Sequence, residues 1–246
     1  MNDKTVIDFL LFSCVGITLD DDKDVIIKQI VNRAYRDASS HVLSVKDESI
    51  NCKSDAKDIV INFLNEIVKN DFRKTHNEKA TELVDKFNGK TNDGYEFTYG
   101  VAQKWLNMSV KYLLLVYKLL DNYNKNHELF LHYKDCIISI EQNCDIPIDD
   151  FILEAVSQTE RKKRKIDDGL FLEIAPKNGN DLVYYTSGKY LSWSNYNSSC
   201  DEWDKGNDNY HALQKQIKKK IILKENESVL DWENRVWINV AKNRNK

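Results

Sequence analysis

The spacing of apolar positions along the chain predicts a series of amphipathic helices. From Lys23 to Ala38, and again beyond Ser54, apolar residues return every three or four positions, which is the period of an α-helix. An apolar segment from Thr5 to Phe12 precedes them. Residues suited to capping helix N-termini open three of these stretches: Asp20 to Asp22, Ser54, and Thr75 with Glu78 in the spacing of a capping box.

The second half of the chain predicts further helices and one long irregular segment. Residues 103–120 are apolar on most sides, which predicts a central, buried helix, and residues 127–141 form a second amphipathic stretch. Pro147 suits the first turn of a helix that runs to about residue 158. Between 169 and 209 the pattern loosens, and two closing helices are predicted at 208–223 and, capped by Ser228, at 229–241.

Composition favours helices over a turn-rich sheet protein. The 246 residues contain 8 Gly and 2 Pro, and 41% of them are hydrophobic, enough to bury a substantial core. We therefore predict an all-α fold of two helical lobes around a cleft. The first lobe covers residues 20–145, and the second is built from residues 1–19 and 146–246.

Charge and cysteine usage narrow the functional class. A formal charge of −3 argues against a protein that coats nucleic acid, although it allows an enzyme that contacts a few phosphates. Local basic runs occur at 161–165 and among the lysines of 215–224. Five scattered cysteines do not resemble a secreted disulfide framework, and no stretch reaches the roughly 20 apolar residues of a membrane span. We expect a cytoplasmic monomer that binds no membrane.

Candidate chemistry lies in two short motifs. Gly100 and its neighbours are predicted to form a tight hairpin whose backbone N–H groups, with the following helix N-terminus, bind one phosphate. Lys104 then falls in the first turn of an apolar helix, where partial burial favours a neutral, nucleophilic amine. Asp149, in Pro147-Ile148-Asp149, supplies a carboxylate that stabilises positive charge developing at the C1′ carbon of a nucleotide sugar.

These motifs resemble those of the helix-hairpin-helix DNA glycosylases of the endonuclease III and archaeal 8-oxoguanine glycosylase type. That family carries a hairpin Gly-Val-Gly-x-Lys-x-x-Asn followed by Pro-Val-Asp. Here Gly100-Val101-Ala102-Gln103-Lys104-Trp105-Leu106-Asn107 is similar to the first element, with Ala102 in place of the second glycine, and Pro147-Ile148-Asp149 to the second. The resemblance covers residues 95–158.

The resemblance implies a base-excision enzyme acting on double-stranded DNA. Lys104 would be the Schiff-base nucleophile, Asp149 the catalytic carboxylate with Asp150 as its competitor, and the DNA contacts would come from Gly100, Val101, Ala102, Gln103 and Asn107. Loss of the phosphodiester from the Schiff base predicts lyase activity as well. No cofactor is expected, because the cysteine spacing of an iron–sulfur cluster is missing.

The base to be removed is less well defined by the sequence. By analogy with the family, the target is an oxidised purine, and the role is DNA repair. The second possibility is a glycosylated pyrimidine of phage DNA, which would be removed in phage defence. An extruded base needs a stacking pocket. The aromatic candidates are Trp193, Trp203, Tyr190 and Tyr196.

Three alternatives remain open. Arg36 and His41 fit the Arg-x4-His pattern of all-helical ribonucleases. His132 and Cys136 are predicted on one helix face, but no third metal ligand has a recognised spacing. In a non-enzymatic helical interaction module, Lys104 and Asp149 would form an ordinary ion pair.

Overall fold

The computed structural model describes residues 2–39, 43, 52–88, 91, 96–157, 169–170, 172, 194, 196, 210–221 and 227–244. This part of the chain forms ten helices: α1 (Asp3–Cys14), α2 (Lys23–Ser39), α3 (Cys52–Glu66), α4 (Phe72–Phe87), α5 (Tyr99–Tyr123), α6 (Glu128–Tyr133), α7 (Ile137–Asn143), α8 (Asp150–Ser157), α9 (Tyr210–Lys220) and α10 (Val229–Arg244). Extended pairing within the described residues is limited to one bridge, between Leu43 and Thr91. The predicted all-α class is confirmed.

Contacts divide the chain into two compact units. Unit 1 comprises Met1–Phe97 and Trp105–Cys144, and unit 2 comprises Thr98–Lys104 and Asp145–Lys246. Unit 1 ends at Cys144 and contains residues 1–19, which were predicted to belong to the second lobe. Helix α1 is bonded to the segment that leads into α2: Lys4 lies 2.7 Å from the Asp20 carboxylate, and Asp8 accepts the Leu19 N–H at 2.8 Å. The predicted cleft stays a prediction.

Unit 1 is built on the apolar faces of α2, α3 and α4. Helix α3 packs against both α2 and α4, and Phe63 on α3 meets Phe72 on α4 with ring centroids 6.0 Å apart. Two buried aromatic side chains also satisfy backbone carbonyls: the Trp105 indole N–H donates to Val31 at 3.1 Å, and the Tyr133 hydroxyl donates to Leu64 at 2.9 Å. Buried polar ends therefore add directional bonds to an apolar core.

Two predicted helix starts in unit 1 are wrong, and the reason is local. Helix α3 begins at Cys52, so Ser54 lies inside its first turn. Helix α4 is capped by Asp71, whose carboxylate accepts the Lys74 N–H at 2.8 Å, whereas Thr75 donates its hydroxyl back to the Asp71 carbonyl. An aspartate closer to the helix start competes successfully with a capping box placed one turn later.

The predicted helix over 127–141 is two short helices, α6 and α7. A turn at residues 134–136 separates them. Cys136 therefore precedes α7, and its thiol donates to the Tyr133 carbonyl at 3.3 Å. The interpretation that His132 and Cys136 share one continuous helix face is wrong.

Unit 2 contains α8, α9, α10 and the first six residues of α5. Helix α8 packs against α10. The predicted Ser228 cap of α10 is confirmed, because its hydroxyl accepts the Asp231 N–H at 3.2 Å. Pro147 lies three positions ahead of α8, outside the first turn predicted for it, and Asp149 occupies the capping position instead.

Two further findings concern membrane-spanning helices and disulfide bonds. Among the residues described, no helix has the length and apolarity needed to cross a membrane. Cys14, Cys52, Cys136 and Cys144 lie within the described ranges, and none of these four forms a disulfide.

Candidate functional site

The start of α5 is a capped helix and not a hairpin. Thr98 caps it, because its hydroxyl accepts the Val101 N–H at 3.3 Å and its carbonyl accepts the Ala102 N–H at 3.0 Å. The Gly100 N–H donates to the Tyr196 carbonyl at 3.0 Å. Gly100 to Gln103 are helical and buried, so the prediction of a phosphate-binding hairpin at these residues is wrong. A threonine that can cap outcompetes the conformational freedom of one glycine.

The two amide side chains proposed to contact DNA are buried. The Gln103 side chain is fully buried and donates to the Gly100 carbonyl at 2.8 Å. Asn107, one turn further along α5, is 1% exposed. The first turn of α5 therefore offers little surface to a phosphate, and the two amide side chains serve the interior.

Lys104 is a buried cation on an apolar helix. It is 8% exposed, and its immediate neighbours Trp105 and Leu106 are fully buried. Its contacts group it with unit 2, which also contains α8. Burying an ammonium group costs free energy unless a negative charge lies near it. The start of α8 supplies such charges.

Asp149 is the N-cap of α8, and both of its carboxylate oxygens are hydrogen-bonded. Oδ1 accepts the Ile152 N–H at 2.9 Å, and Oδ2 accepts the indole N–H of Trp237 at 3.1 Å. The side chain is held at a helix N-terminus, where the partial positive charge of the helix favours an anion. Asp149 therefore has a structural role as a helix cap, and a carboxylate held in a fixed position can also stabilise a developing positive charge.

Asp150 is a carboxyl group that lies within reach of the positive charge of Lys104. Burial raises the pKa of Asp150, and the adjacent negative charge of Asp149 raises it further. The positive charges of Arg244 and Lys104 lower the pKa of Asp150 without cancelling that increase. Lys104, Asp149 and Asp150 thus form one electrostatic cluster in unit 2, and we call them the lysine–carboxylate cluster.

A stack of three side chains lies against this cluster. The Phe151 ring stacks on Trp237 with centroids 4.7 Å apart, and the Arg244 guanidinium lies 4.1 Å from the centroid of the Phe151 ring. Arg244 also pairs with Glu154 at 2.8 Å and donates to the Asp150 carbonyl at 3.3 Å. These contacts fix the end of α10 against the start of α8 and orient the Trp237 indole toward Asp149.

A buried polar clamp holds the segment that leads into α8. Gln214 on α9 donates to the Ile146 carbonyl at 2.6 Å and accepts the Ile146 N–H at 3.1 Å. Asp145 accepts the Tyr210 hydroxyl at 3.0 Å and pairs with Lys218 at 2.7 Å. Since Ile146 has both backbone groups bonded, the distance from the clamp to Asp149 is fixed.

Of the four predicted base-stacking residues, Tyr196 lies within the described part of the chain. Trp193, Trp203 and Tyr190 lie outside the described residues. Tyr196 is 1% exposed and uses its carbonyl to accept the Gly100 N–H, so its ring is packed in the protein interior. Trp237, which is 37% exposed and bonded to Asp149, was not predicted as a site residue. Its helical spacing gave no signal, because only the fold places α10 beside α8.

The alternative sites are less well supported. Arg36 lies exposed in the last turn of α2, and His41 is outside the described residues. Burial lowers the pKa of His132, but the described residues contain no group of three or more His, Cys, Asp or Glu side chains arranged to hold a metal ion. Comparison with family models, with curated proteins and with solved structures found no match for this chain.

Proposed function

We propose that this protein is a DNA glycosylase that removes a modified base with Lys104 as its nucleophile. The observation that carries the proposal is a buried amine beside two consecutive carboxyl groups: Lys104 is 8% exposed, and its charge acts on Asp150, the neighbour of Asp149. Titratable groups whose pKa is shifted by burial and by nearby charges are concentrated at functional sites. The motif order in the sequence supports the same function.

The chemistry follows from the residue types. The Lys104 amine attacks C1′ of the target nucleotide, a C–N bond forms, and the glycosidic bond breaks as the base departs with a proton. The Asp149 carboxylate stabilises the positive character of the sugar in the transition state. Asp150, whose pKa burial raises, is the better proton acceptor for the attacking amine.

Strand cleavage is the second part of the proposal. Opening of the sugar ring leaves a Schiff base between Lys104 and C1′. Removal of a proton from C2′ then expels the 3′ phosphate by β-elimination, and water hydrolyses the Schiff base to regenerate the amine. The enzyme therefore acts as both a glycosylase and a lyase on double-stranded DNA, and none of these steps needs a cofactor.

The substrate class is an enlarged or oxidised base. An oxidised purine would give the protein a role in DNA repair, whereas a glycosylated pyrimidine of phage DNA would give it a role in phage defence. A panel that contains both kinds of duplex separates these two roles. Release of one free base and not the other identifies the substrate.

Borohydride trapping tests the proposal most directly. Sodium borohydride reduces the Schiff base to a stable amine, so the native protein should become covalently linked to a modified duplex. Lys104→Gln should give no adduct. Lys118→Gln is the matched control, because Lys118 lies on the same helix, is 51% exposed and pairs with Glu141 at the surface. It should trap normally.

Three outcomes would overturn all or part of the proposal. If no duplex in the panel yields an adduct or a free base, the protein is not a glycosylase of this kind. If the native chain cleaves RNA and a His41→Ala variant does not, the ribonuclease alternative is correct. Free-base release without trapping would refute the role of Lys104 as nucleophile.

A further inference from the structure

Four cations converge where α2 and α3 pack together in unit 1. Lys28 and Arg36 lie on α2, and Lys53 and Lys57 lie one turn apart on α3. We call them the α2–α3 cation cluster. Helix α3 packs on α2 there, with the Lys53 amine 4.9 Å from the ring of Tyr35, the residue before Arg36, and the charges of Lys28, Arg36 and Lys53 all act on Lys57.

Among the described residues, no acidic side chain forms an ion pair with the cluster. Many cations elsewhere in unit 1 pair with carboxylates, such as Lys4 with Asp8 and Lys79 with Glu66. Within the described part of the chain, no ion pair involves a member of the cluster, and the only recorded partner is the Tyr35 ring, 4.9 Å below the Lys53 amine. Asp37, the nearest acid in sequence to Arg36, is committed to Arg33 at 3.2 Å.

Repulsion within the cluster is visible at Lys57. Burial lowers the pKa of Lys57, and the charges of Lys53, Lys28 and Arg36 lower it further. Four like charges held close together repel one another, and a bound anion would relieve that repulsion. The preferred ligand of the cluster is therefore one with several negative charges at close spacing.

We propose that the α2–α3 cation cluster binds the phosphate backbone of double-stranded DNA. Lys28 and Arg36 are eight residues apart on a helix, about 12 Å along its axis, and a duplex strand presents a phosphate about every 3.4 Å of that length. The cluster is thus long enough to contact several phosphates. The apolar face of α2 is buried through Ile26, Ile30 and Ala34, so it is not available to insert into a lipid surface.

This inference rests on the proposed function only for the choice of DNA as the polyanion. It gives a protein of charge −3 a local surface with which to hold its substrate without sequence preference. It also replaces the buried start of α5 as the place where backbone phosphates bind.

The test is the salt dependence of binding to a short unmodified duplex, measured by fluorescence anisotropy. Each phosphate contact contributes about 0.9 to the slope of log K against log salt. Lys53→Gln with Lys57→Gln should therefore reduce the slope by roughly 1.8, which corresponds to binding weakened by roughly sixtyfold at about 100 mM salt. Lys28→Gln with Arg36→Gln should do the same.

The control carries the same charge change at another place. Lys69 and Lys134 are exposed in unit 1 and outside the cluster, so Lys69→Gln with Lys134→Gln should leave the slope close to that of the native protein. Equal loss in control and cluster variants would overturn the proposal. So would variants that lose binding to phosphatidylserine vesicles while keeping the native slope on DNA.

The assay separates this inference from the proposed function. Binding to an unmodified duplex requires no base excision, so a failure of borohydride trapping leaves the slope measurement valid. Conversely, normal trapping with an unchanged slope in both cluster variants would retain the glycosylase and reject the cluster as its DNA contact.

Discussion

Substituting Asp149 separates its structural role from its chemical one. The carboxylate caps α8 through Ile152 and accepts the Trp237 indole N–H. Asp149→Ala removes both interactions, and the free energy of unfolding should fall by about 1 kcal/mol for the cap and about 1 kcal/mol for the second hydrogen bond. Asp149→Ser keeps a hydroxyl at the capping position and should lose only about 1 kcal/mol.

In these two variants the rate of base release should not change in parallel with the free energy of unfolding. Serine cannot supply a negative charge to the transition state, so Asp149→Ser should lose about a hundredfold or more in the rate of base release. Urea unfolding followed by circular dichroism gives the first quantity, and single-turnover release of the base from a modified duplex gives the second. A stable Asp149→Ser variant that releases base within about threefold of the native rate would show that Asp149 is only a cap.

A control for the indole contact is available at Trp237. Trp237→Phe retains an aromatic ring to stack on Phe151 but cannot donate to Asp149. In the native background it should slow base release by about fivefold, which corresponds to about 1 kcal/mol, the value of a typical hydrogen bond. In the Asp149→Ser background it should have no further effect, because the acceptor has already been removed. If the two substitutions reduce the rate of base release additively, Trp237 does not position Asp149.

Three further predictions follow from the contacts. Asp150→Asn should stabilise the protein at neutral pH and slow base release. Because folding raises the pKa of Asp150, the native protein loses stability as the pH rises above the ordinary pKa of this carboxyl group. The stability gained by the variant, measured by urea unfolding, should therefore disappear below about pH 4. Gln214→Met fills the same space without bonding Ile146 and should cost about 2–4 kcal/mol of unfolding free energy; an unchanged urea midpoint would contradict the clamp. Burial, and then the Asp37 charge, raise the pKa of Tyr112 from 10.0 to about 12, so stability should decline as pH rises through that interval, and less steeply in Tyr112→Phe.

The sequence predicted helices well where apolar periodicity was long. Helices α2 and α5 were expected at 23–38 and 103–120, and they span Lys23–Ser39 and Tyr99–Tyr123. Helix starts were less predictable, because several polar residues compete to cap one helix. Ser228 was correctly assigned, but Asp71 was overlooked in favour of Thr75.

The candidate site was predictable only in its local parts. The motif pattern selected Lys104, Asp149 and Asp150, and the fold gathers these residues in one unit. The motif pattern was wrong at Gly100, where Thr98 and the carbonyl of Tyr196 accept the N–H groups expected to bind phosphate. Contacts between segments distant in sequence, such as Trp237 with Asp149 across 88 positions, depend on tertiary packing that no local pattern records.

The clamp on Ile146 makes the three-residue segment before Asp149 a spacer of fixed length. Because α9 holds one end of the spacer and α8 begins at the other, inserting a single residue within it would move the carboxylate by up to about 3.5 Å. Both helices would keep their own hydrogen bonds. Such an insertion would displace the Asp149 carboxylate while preserving a folded protein, and so offers an inactive control for the proposed base excision.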